Sequence, residues 1–299
     1  MPEFIVGENF EGINVQSFLR KHCNVSARLL SRLKRTENGI TRNGEHIRSI
    51  DILHSGDIVE LSFPQDEINI VPVEMPLDIV YEDSELIVIN KPPYMPVHPV
   101  HDHQLDTLAN AVIYYSRSKG ENYAFRAVNR LDRDTSGLVL IAKTGYSHTY
   151  LAKHTEKLYT ALCEGELSGS GTIDAPIRLK EGHTIQRETG EGGVHAVTHY
   201  KAVKYMYGHT LLELTLETGR THQIRTHLSS IGHSLAGDDM YGGSLEFFQR
   251  QCLHCSRLIF DHPITHEKLT LNKPPEDWFE EIRKNLMIQS CSESNSHIF

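Results

Sequence analysis

Two polar segments of this 299-residue chain carry more charged and hydrogen-bonding side chains than an ordinary turn requires. The first, Asn129–Gly137, holds Asp132 and Asp134 among two arginines and leads directly into the apolar run 138–142. A neighbouring arginine favours the ionised form of a carboxylate, so such an aspartate can act as a base or a nucleophile at neutral pH. Taken alone, the segment fits a turn with surface ion pairs equally well.

The second segment, 218–227, follows an alternating apolar pattern at 211–217 that predicts a strand. Apolar residues spaced i, i+4 and i+7 after it predict a helix. Arg220 lies at the predicted strand-to-helix junction, where backbone N–H groups and the helix dipole favour anions. His222 and His227 are five residues apart rather than four, so we expect no metal site here.

The cysteines also bear on metal and redox chemistry. Five are scattered along the chain, and only Cys252 and Cys255 have the spacing of half a zinc site or a redox pair. Because no second such pair exists, we predict buried free thiols, no metal and a reducing, cytoplasmic setting. No apolar stretch approaches the roughly 20 residues needed to span a bilayer, and the amino terminus does not resemble a signal peptide.

Positive charge is concentrated near one end of a chain whose net charge is −9. Between Arg20 and Arg48, eight lysines and arginines face two glutamates. Ser26 is a candidate N-cap for a helix at 27–36. On that helix Arg28, Arg32 and Arg35 would form one basic stripe, which suits phosphate binding but also an ordinary solvated face.

The elements that position these residues divide the chain into four parts. Residues 1–64 form a small unit, and 65–76 are an acidic linker with two prolines. A long pattern of strands and short helices runs from 77 to 287, and a polar tail occupies 288–299. Without regular βαβ spacing or a glycine-rich fingerprint, the pattern argues against a Rossmann or TIM fold.

The first unit contains three landmarks in order: Ser26-x-Arg28, the turn Asn43-Gly44 and the closing segment Gly56-Asp57-Ile58-Val59. In these landmarks it resembles an S4 RNA-binding domain. The resemblance implies RNA binding, and the residues we expect to contact RNA are Arg28, Arg32, Lys34, Arg35 and Arg42.

The remainder resembles the RluA-type pseudouridine synthases. Their signature His-Arg-Leu-Asp-x-x-Thr-Ser-Gly-Leu is matched by 129–138, with Asn129 in place of histidine. Four further landmarks follow the family's order, with Ser234 where proline is usual: Tyr81–Pro92, Lys157–Ala161, Gly219–His227 with Gly237–Gly242, and Leu253–Pro263.

This resemblance implies an α+β fold, in which a central, mainly antiparallel mixed sheet is flanked by helices and joined to the small N-terminal α/β S4-like domain. It implies that Asp132 is the catalytic carboxylate, that Arg220 pairs with it, and that Tyr159 packs on the target base. Ile224, Arg130 and Leu131 are expected to line the substrate pocket. Asp134 is the competing carboxylate, and only the motif ranks it second.

The implied activity is the isomerisation of uridine to pseudouridine in RNA, with no cofactor. By analogy, ribosomal RNA of the large subunit is favoured over transfer RNA, with no membrane and no obligate protein partner. Two alternatives compete: a non-enzymatic RNA-binding factor, and a glycoside hydrolase that uses Asp132 and Asp134 as its carboxylate pair. Asp132 could serve as nucleophile or as base, and the sequence does not separate these roles.

Overall fold

The computed structural model describes residues 3–63 and 68–296, with side chains described as far as Met287. Within these ranges the chain forms a small N-terminal unit and a larger α+β unit, each with its own apolar core.

The N-terminal unit packs two short helices against a four-stranded antiparallel sheet. Its elements are β1 (Glu3–Ile5), a 3-10 turn (Glu8–Phe10), α1 (Val15–Lys21), α2 (Ala27–Leu33), β2 (Ile40–Arg42), β3 (Glu45–His46) and β4 (Ile58–Leu61). The strand order is β1–β4–β2–β3. At the turn between β2 and β3, Asn43 and Gly44 both have positive φ, as a two-residue hairpin turn requires.

The predicted N-cap of α2 is confirmed, but the helix is shorter than expected. The Ser26 hydroxyl accepts a hydrogen bond from the Leu29 N–H at 3.1 Å. The helix ends at Leu33 rather than at 36. The chain turns back there, with Asn38 in the left-handed region and with Gly39 so close to the Leu33 carbonyl that a Cβ would lie 2.2 Å from its oxygen. Arg35 therefore lies outside the helix.

The larger unit is built on a nine-stranded sheet of the described residues. Its elements are β5 (Ile79–Glu82), β6 (Leu86–Lys91), α3 (Leu108–Ser118), β7 (Ser136–Ala142), α4 (Gly145–Leu151), β8 (Thr155–Glu164), β9 (Ser170–Asp174), β10 (Ile177–Leu179), β11 (Arg187–Thr189), β12 (Val197–Met206), β13 (His209–Leu216), α5 (Gln223–Ser230), a 3-10 turn (Asp239–Tyr241), β14 (Leu253–Asp261), β15 (Lys268–Asn272) and α6 (Trp278–Ser296).

The order of the large sheet is β5–β6–β7–β14–β8–β13–β12–β9, with β15 also paired to β14. All pairs are antiparallel except β7 with β14. This confirms the expected α+β class and the mainly antiparallel mixed sheet. On β13, Leu212 and Leu214 are buried as the alternation predicted, so the strand directs one face into the core.

The structure adds detail at two of the expected boundaries. Residues 65–67 of the predicted linker lie outside the described residues, but 68–76 pack on the larger unit. Ile68 and Ile70 contact its core, and the Asn110 side chain of α3 donates a hydrogen bond to the Val71 carbonyl at 2.7 Å. At the other end, α6 continues to Ser296, so most of the predicted polar tail is helical.

The two units are packed against each other. Tyr146 of α4 is 2% exposed and belongs to the core of the N-terminal unit, where its ring lies 5.7 Å from that of Phe4. Buried aromatic contacts of this kind favour a fixed orientation of the two units over free motion on a linker.

The predicted burial of the cysteine pair is confirmed: Cys252 and Cys255 are 1% and 0% exposed. Burial raises the pKa of both thiols, so both side chains behave as core residues. Among the described helices, none combines the length and the apolar character that crossing a membrane demands.

Candidate active site

A continuous polar cleft opens where β8 and β13 approach the loop before β7. Its larger part has a volume of about 610 Å³, which falls in the range of small-molecule sites. Six residues line both this part and the adjoining narrower one: Arg130, Leu131, Asp132, Tyr159, Leu216 and Arg220. Ile224 lines the narrower part. The structure thus brings the predicted catalytic and pocket residues to one cleft.

Asp132 lies in a loop that Asn129 holds against β7. The Asn129 side-chain amide donates to the Leu138 carbonyl at 3.0 Å, and its oxygen accepts from the Leu140 N–H at 2.9 Å. The Thr135 N–H then donates to the Asp132 carbonyl at 3.1 Å and closes the turn. Asn129 therefore acts on the backbone of the loop, while the Asp132 side chain, 27% exposed, faces the cleft.

The glycine of the same signature is required by a close approach of two strands. Gly137 has a φ of +112°, and a Cβ at this position would lie 2.4 Å from the Cys255 carbonyl oxygen on β14. Ser136 beside it shares a 2.9 Å hydrogen bond with His254. These contacts fix the start of β7 and with it the loop that carries Asp132.

A buried lysine supports the loop from behind. Lys91, at the end of β6, is 0% exposed, and its Nζ donates to the carbonyls of Pro92 at 2.8 Å and Arg133 at 3.0 Å. Burial lowers the pKa of Lys91 to about 7, although the negative charges of Asp134 and Asp132 act to raise it. A neutral amine retains both N–H donors, so the two hydrogen bonds persist in either state.

Asp132 is paired with Arg225, not with Arg220. The Arg225 Nη1 lies 3.3 Å from the Asp132 Oδ2. The rest of the guanidinium forms a bidentate pair with the buried Asp238, at 2.7 Å from Nε and 2.8 Å from Nη2. Arg225 is thereby held by Asp238 through Nε and Nη2, and its Nη1 is left to donate to the Asp132 carboxylate.

Arg220 has a different partner, which corrects the expected pairing. Arg220 is exposed and lines the cleft, and its Nε donates to the His195 carbonyl at 3.0 Å. The physical reason is the start of α5 at Gln223. Long side chains in the first helical turn point back toward the N-terminus, so Arg225 reaches the cleft floor while Arg220 stays at its rim.

His222 is the second group that faces the Asp132 carboxylate. It adopts a left-handed conformation at the N-cap of α5, and its Nε2 lies 3.8 Å from the Asp132 Oδ2. Its Nδ1 is 2.9 Å from the Tyr241 hydroxyl, which itself accepts from the Arg187 N–H at 2.9 Å. The hydroxyl can then donate its one proton to Nδ1, an arrangement in which the proton of neutral His222 is on Nε2, facing Asp132.

The environment of His222 favours this neutral form. Burial lowers the pKa of His222, although the Asp132 carboxylate opposes the shift. Protonation would also place a hydrogen on Nδ1, and the Tyr241 hydroxyl could then no longer donate to it.

Tyr159 stands on β8 beside the carboxylate. It is 6% exposed and lines both parts of the cleft. Burial raises the pKa of Tyr159, and the charge of Asp132 adds to the shift, so its ring stays neutral. An aromatic face at the wall of a polar cleft can stack on a planar ring.

Asp134 is turned away from this arrangement. Arg133 binds both carboxylate oxygens of Asp134, at 2.8 and 3.0 Å. Asp134 is not among the residues that line the cleft. The two carboxylates therefore do not face one another across a substrate position, as a glycosidase pair does.

The basic residues predicted to bind RNA are divided among several surfaces. Arg28 and Arg32 line a groove between α2 and α4. The Lys34 Nζ donates to the Gln16 side chain at 2.9 Å, and an Arg42 guanidinium N–H donates to the Ile52 carbonyl at 3.0 Å. Arg35 is exposed beyond the end of α2.

Four functional groups were missed by sequence reasoning: Arg225, Asp238, His222 and Tyr241. All four lie in the landmark segments after β13. Arg225 lies one turn inside the predicted helix. A charged side chain at a buried position has to be paired, and this requirement could have identified Arg225.

Known proteins are similar to this chain in sequence. The sequence profile of the RNA pseudouridylate synthase family matches residues 85–230. A Bacillus subtilis protein described as the uncharacterized RNA pseudouridine synthase YjbO is 37% identical over 262 residues, covering 85% of this chain and 93% of that protein. The ribosomal large subunit pseudouridine synthase D of Pseudomonas aeruginosa is 38% identical over 263 residues, covering 80% and 81%.

The chain belongs to the RluA-type RNA pseudouridine synthases. As a member of that family it is an isomerase that acts on RNA. Among solved structures, Human RNA Pseudouridylate Synthase Domain Containing 1 aligns with a TM-score of 0.55 and 25% identity over 67% of this chain and 84% of that one. The family match spans Asp132, Tyr159 and Arg225 of the synthase, and it ends before Asp238.

Proposed function

We propose that this synthase isomerises uridines of ribosomal RNA with Asp132 as its catalytic carboxylate and without a cofactor. The observation that carries the proposal is the Asp132 carboxylate itself, at the floor of a cleft between Arg225 and the Tyr159 ring. Arg225 keeps this carboxylate in place, and the cleft leaves its second side open to a nucleoside.

The reaction needs little beyond such a carboxylate. The N1–C1′ bond breaks, the uracil rotates, and a C5–C1′ bond forms while a proton leaves C5 and N1 gains one. No atom is added and no electron is transferred, so a redox cofactor has no part in it. Asp132 acts in one of two ways: as a nucleophile on the sugar or base, or as a base that removes a sugar proton.

A uridine within folded RNA has to leave its stack to reach Asp132. The Tyr159 ring supplies an aromatic face for the extruded base, and such stacking contributes about 1–3 kcal/mol per base. Ile224 and Leu131 provide apolar lining in the same cleft. Arg130 and Arg220 at its rim are suited to the phosphates that flank the target nucleotide.

The proposed RNA class rests on the relatives, several of which are named ribosomal large subunit pseudouridine synthase D. An RNA of the large ribosomal subunit accords with the cytoplasmic setting expected from the cysteine content. We assign RNA binding to the N-terminal unit as an S4-like domain, because its landmarks at Ser26, Asn43 and Gly56 lie at a helix start and at two turns.

Release of tritium from RNA labelled at C5 of uridine tests the proposal. The synthase should release tritium from a large-subunit ribosomal RNA transcript and form pseudouridine in the same amount. The Asp132→Asn variant should bind the RNA with unchanged affinity and release none, whereas Asp134→Asn should keep most of the rate. Equal loss in both variants, or turnover by Asp132→Asn, would refute the assignment of the carboxylate.

The same assay separates the RNA classes. Transfer RNA transcripts labelled in the same way are expected to release little tritium under conditions where ribosomal RNA reacts to completion. The opposite preference would reject ribosomal RNA as the substrate while leaving the isomerase chemistry in place.

A further inference from the structure

His222 occupies the N-cap position of α5, but its side chain does not cap the helix. An N-cap residue normally has extended backbone, and its side chain accepts a hydrogen bond from an N–H of the first turn. His222 instead has a φ of +56°, and none of the described first-turn N–H groups donates to its ring. A left-handed conformation is uncommon outside glycine and clusters at functional sites. The start of α5 therefore does not explain this histidine, which lines the narrower part of the cleft.

Tyr241 holds one side of the His222 ring. The Tyr241 carbonyl accepts hydrogen bonds from the Ser229 hydroxyl at 2.8 Å and from the Ser234 hydroxyl at 2.7 Å. The guanidinium carbon of Arg225 lies 4.9 Å from the centroid of the Tyr241 ring. The Tyr241 hydroxyl, 2.9 Å from the His222 Nδ1, is thus fixed before substrate arrives.

The two groups that face the Asp132 carboxylate approach the same oxygen. The Arg225 Nη1 lies 3.3 Å from Oδ2, and the His222 Nε2 lies 3.8 Å from it. In the part of the chain that the structure describes, no donor is hydrogen-bonded to Oδ1. Oδ1 is therefore the oxygen that a nucleoside in the cleft can meet without displacing a protein group.

The charges around His222 are of both signs. They come from the loop before β7, the turn after α5, α5 itself and β11, and the groups are Asp132, Asp238, Arg225 and Arg187. Burial lowers the pKa of His222, while the carboxylates and the guanidiniums act in opposite directions. A neutral imidazole has one N–H donor and one acceptor, so a ring whose Nδ1 accepts a hydrogen bond has its donor at Nε2.

We propose that His222 is a positioning residue whose Nε2 donates a hydrogen bond to the Asp132 Oδ2, in the tautomer selected by the Tyr241 hydroxyl. The proposal rests on the proposed function and adds a second donor to the catalytic carboxylate. The 3.8 Å separation is longer than a hydrogen bond, and such contacts often tighten only when substrate is bound. With Arg225 and His222 both at Oδ2, the carboxylate is held in one orientation. Oδ1 then faces the uridine, whether Asp132 acts as nucleophile or as base.

Glutamine and asparagine at position 222 test this donor. Both side-chain amides have N–H donors, but that of glutamine reaches about as far as Nε2, whereas that of asparagine reaches only as far as Nδ1. Asparagine adopts the left-handed conformation more readily than glutamine does. A role in the backbone turn alone therefore favours His222→Asn, and a role as Nε2 donor favours His222→Gln.

Single-turnover release of tritium at saturating ribosomal RNA measures the effect. We expect His222→Asn to react about 10- to 100-fold more slowly than the unaltered synthase, the factor that a hydrogen bond to a charged group provides. His222→Gln should react several times faster than His222→Asn. RNA affinity should be equal in the two variants, because the orientation of the Asp132 carboxylate affects the reaction and not the binding of RNA.

NMR of the isotope-labelled synthase tests the tautomer without a substitution in the ring. The proton of neutral His222 should be on Nε2, with its signals identified by their loss in His222→Gln. In Tyr241→Phe the Nδ1–H form should gain relative to the Nε2–H form by up to about tenfold, the factor of one neutral hydrogen bond.

Three results would overturn the proposal. They are a rate of His222→Asn equal to or above that of His222→Gln, an undiminished rate in both variants, and a predominant Nδ1–H form in the unaltered synthase. The NMR result decides even if a variant at position 222 does not fold. Failure of the proposed function is recognised separately, because it appears as turnover by Asp132→Asn, in which the carboxylate that His222 would position is absent.

Discussion

The arginine at the active-site floor and Arg28 of the N-terminal unit differ in how much water reaches them. The Arg225 side chain is 7% exposed and is bound to two carboxylates, of which Asp238 is buried. Arg28 is exposed and lines the groove between α2 and α4. A buried guanidinium has to be paired within the protein, whereas an exposed one can exchange water for an RNA phosphate.

Because of this difference, arginines at the two places suit two different functions. Arg225 is fixed before substrate arrives and orients Asp132. Arg28 is exposed and is suited to a ligand that comes and goes. Each prediction below changes one member of this comparison and measures the consequence.

The largest effect on stability is expected from the buried partner of Arg225. Asp238→Asn removes the charge that compensates the guanidinium, and loss of one partner of a buried pair costs about 3–5 kcal/mol. The free energy of unfolding in urea measures the loss. Glu188→Gln is the control, because it breaks an ion pair with Arg178 whose side chains are 50% and 32% exposed. If Asp238→Asn lowers the free energy of unfolding no more than Glu188→Gln does, the buried ion pair contributes no more to stability than the exposed one.

Lys91 extends the comparison to a second buried cation. Its pKa is lowered to about 7 in the native state, so between pH 7 and pH 10.5 the unfolded chain binds the proton more strongly. Stability then rises with pH over this window and is reduced as pH falls toward 7. Relative to Lys91→Met, the free energy of unfolding of the synthase should increase by about 2 kcal/mol between pH 7 and pH 9.

Urea unfolding of both proteins at the two pH values measures this gain. Lys273→Met is a suitable control, since Lys273 is a more exposed lysine, paired with Asp78. If Lys91→Met and the unaltered synthase follow the same pH dependence, the amine is charged in the native state and the lowered pKa is wrong.

A smaller effect is expected at His222. Tyr241→Phe removes the hydroxyl that donates to Nδ1, and this donation stabilises the neutral ring. A hydrogen bond contributes about 0.5–1.5 kcal/mol, so the pKa of His222 should rise by up to about one unit in this variant. NMR titration measures the value, with the His222 signal identified from His222→Gln. An unchanged titration would exclude the assigned direction of the hydrogen bond.

Much of the site could be predicted because it follows from local sequence. The segment before β7 contains an apolar strand, a glycine and an aspartate in fixed order, and the alternation of β13 locates the second segment. The resemblance to the family added Tyr159 and Ile224, and the structure brings these two residues and Asp132 to one cleft.

The choice between Arg220 and Arg225 could not be made locally. It depends on the left-handed conformation of His222 and on Asp238, which lies 13 residues beyond Arg225. Both arginines belong to the same landmark segment, and only tertiary contacts decide which side chain turns inward.

The packing of the two units was missed for a related reason. Tyr146 is an aromatic residue in a short helix, and nothing in its surroundings marks it as part of another unit's core. The acidic, proline-containing segment before it in the chain suggested a loose connection, whereas Ile68 and Ile70 are packed. Contacts between distant segments leave no periodic pattern in the sequence.

The account depends most directly on which arginine serves Asp132, and single-turnover tritium release measures it. Arg225→Lys keeps a charge at the buried position but loses the bidentate pair with Asp238, and Arg225→Gln removes the charge. Arg220→Gln is the matched exposed variant.

We expect both Arg225 variants to release tritium at least about 100-fold more slowly, the scale on which a positioned charged donor acts, while RNA affinity is kept. Arg220→Gln should lose less than tenfold in this rate. A large loss in Arg220→Gln together with a near-normal rate in Arg225→Lys and Arg225→Gln would contradict the account.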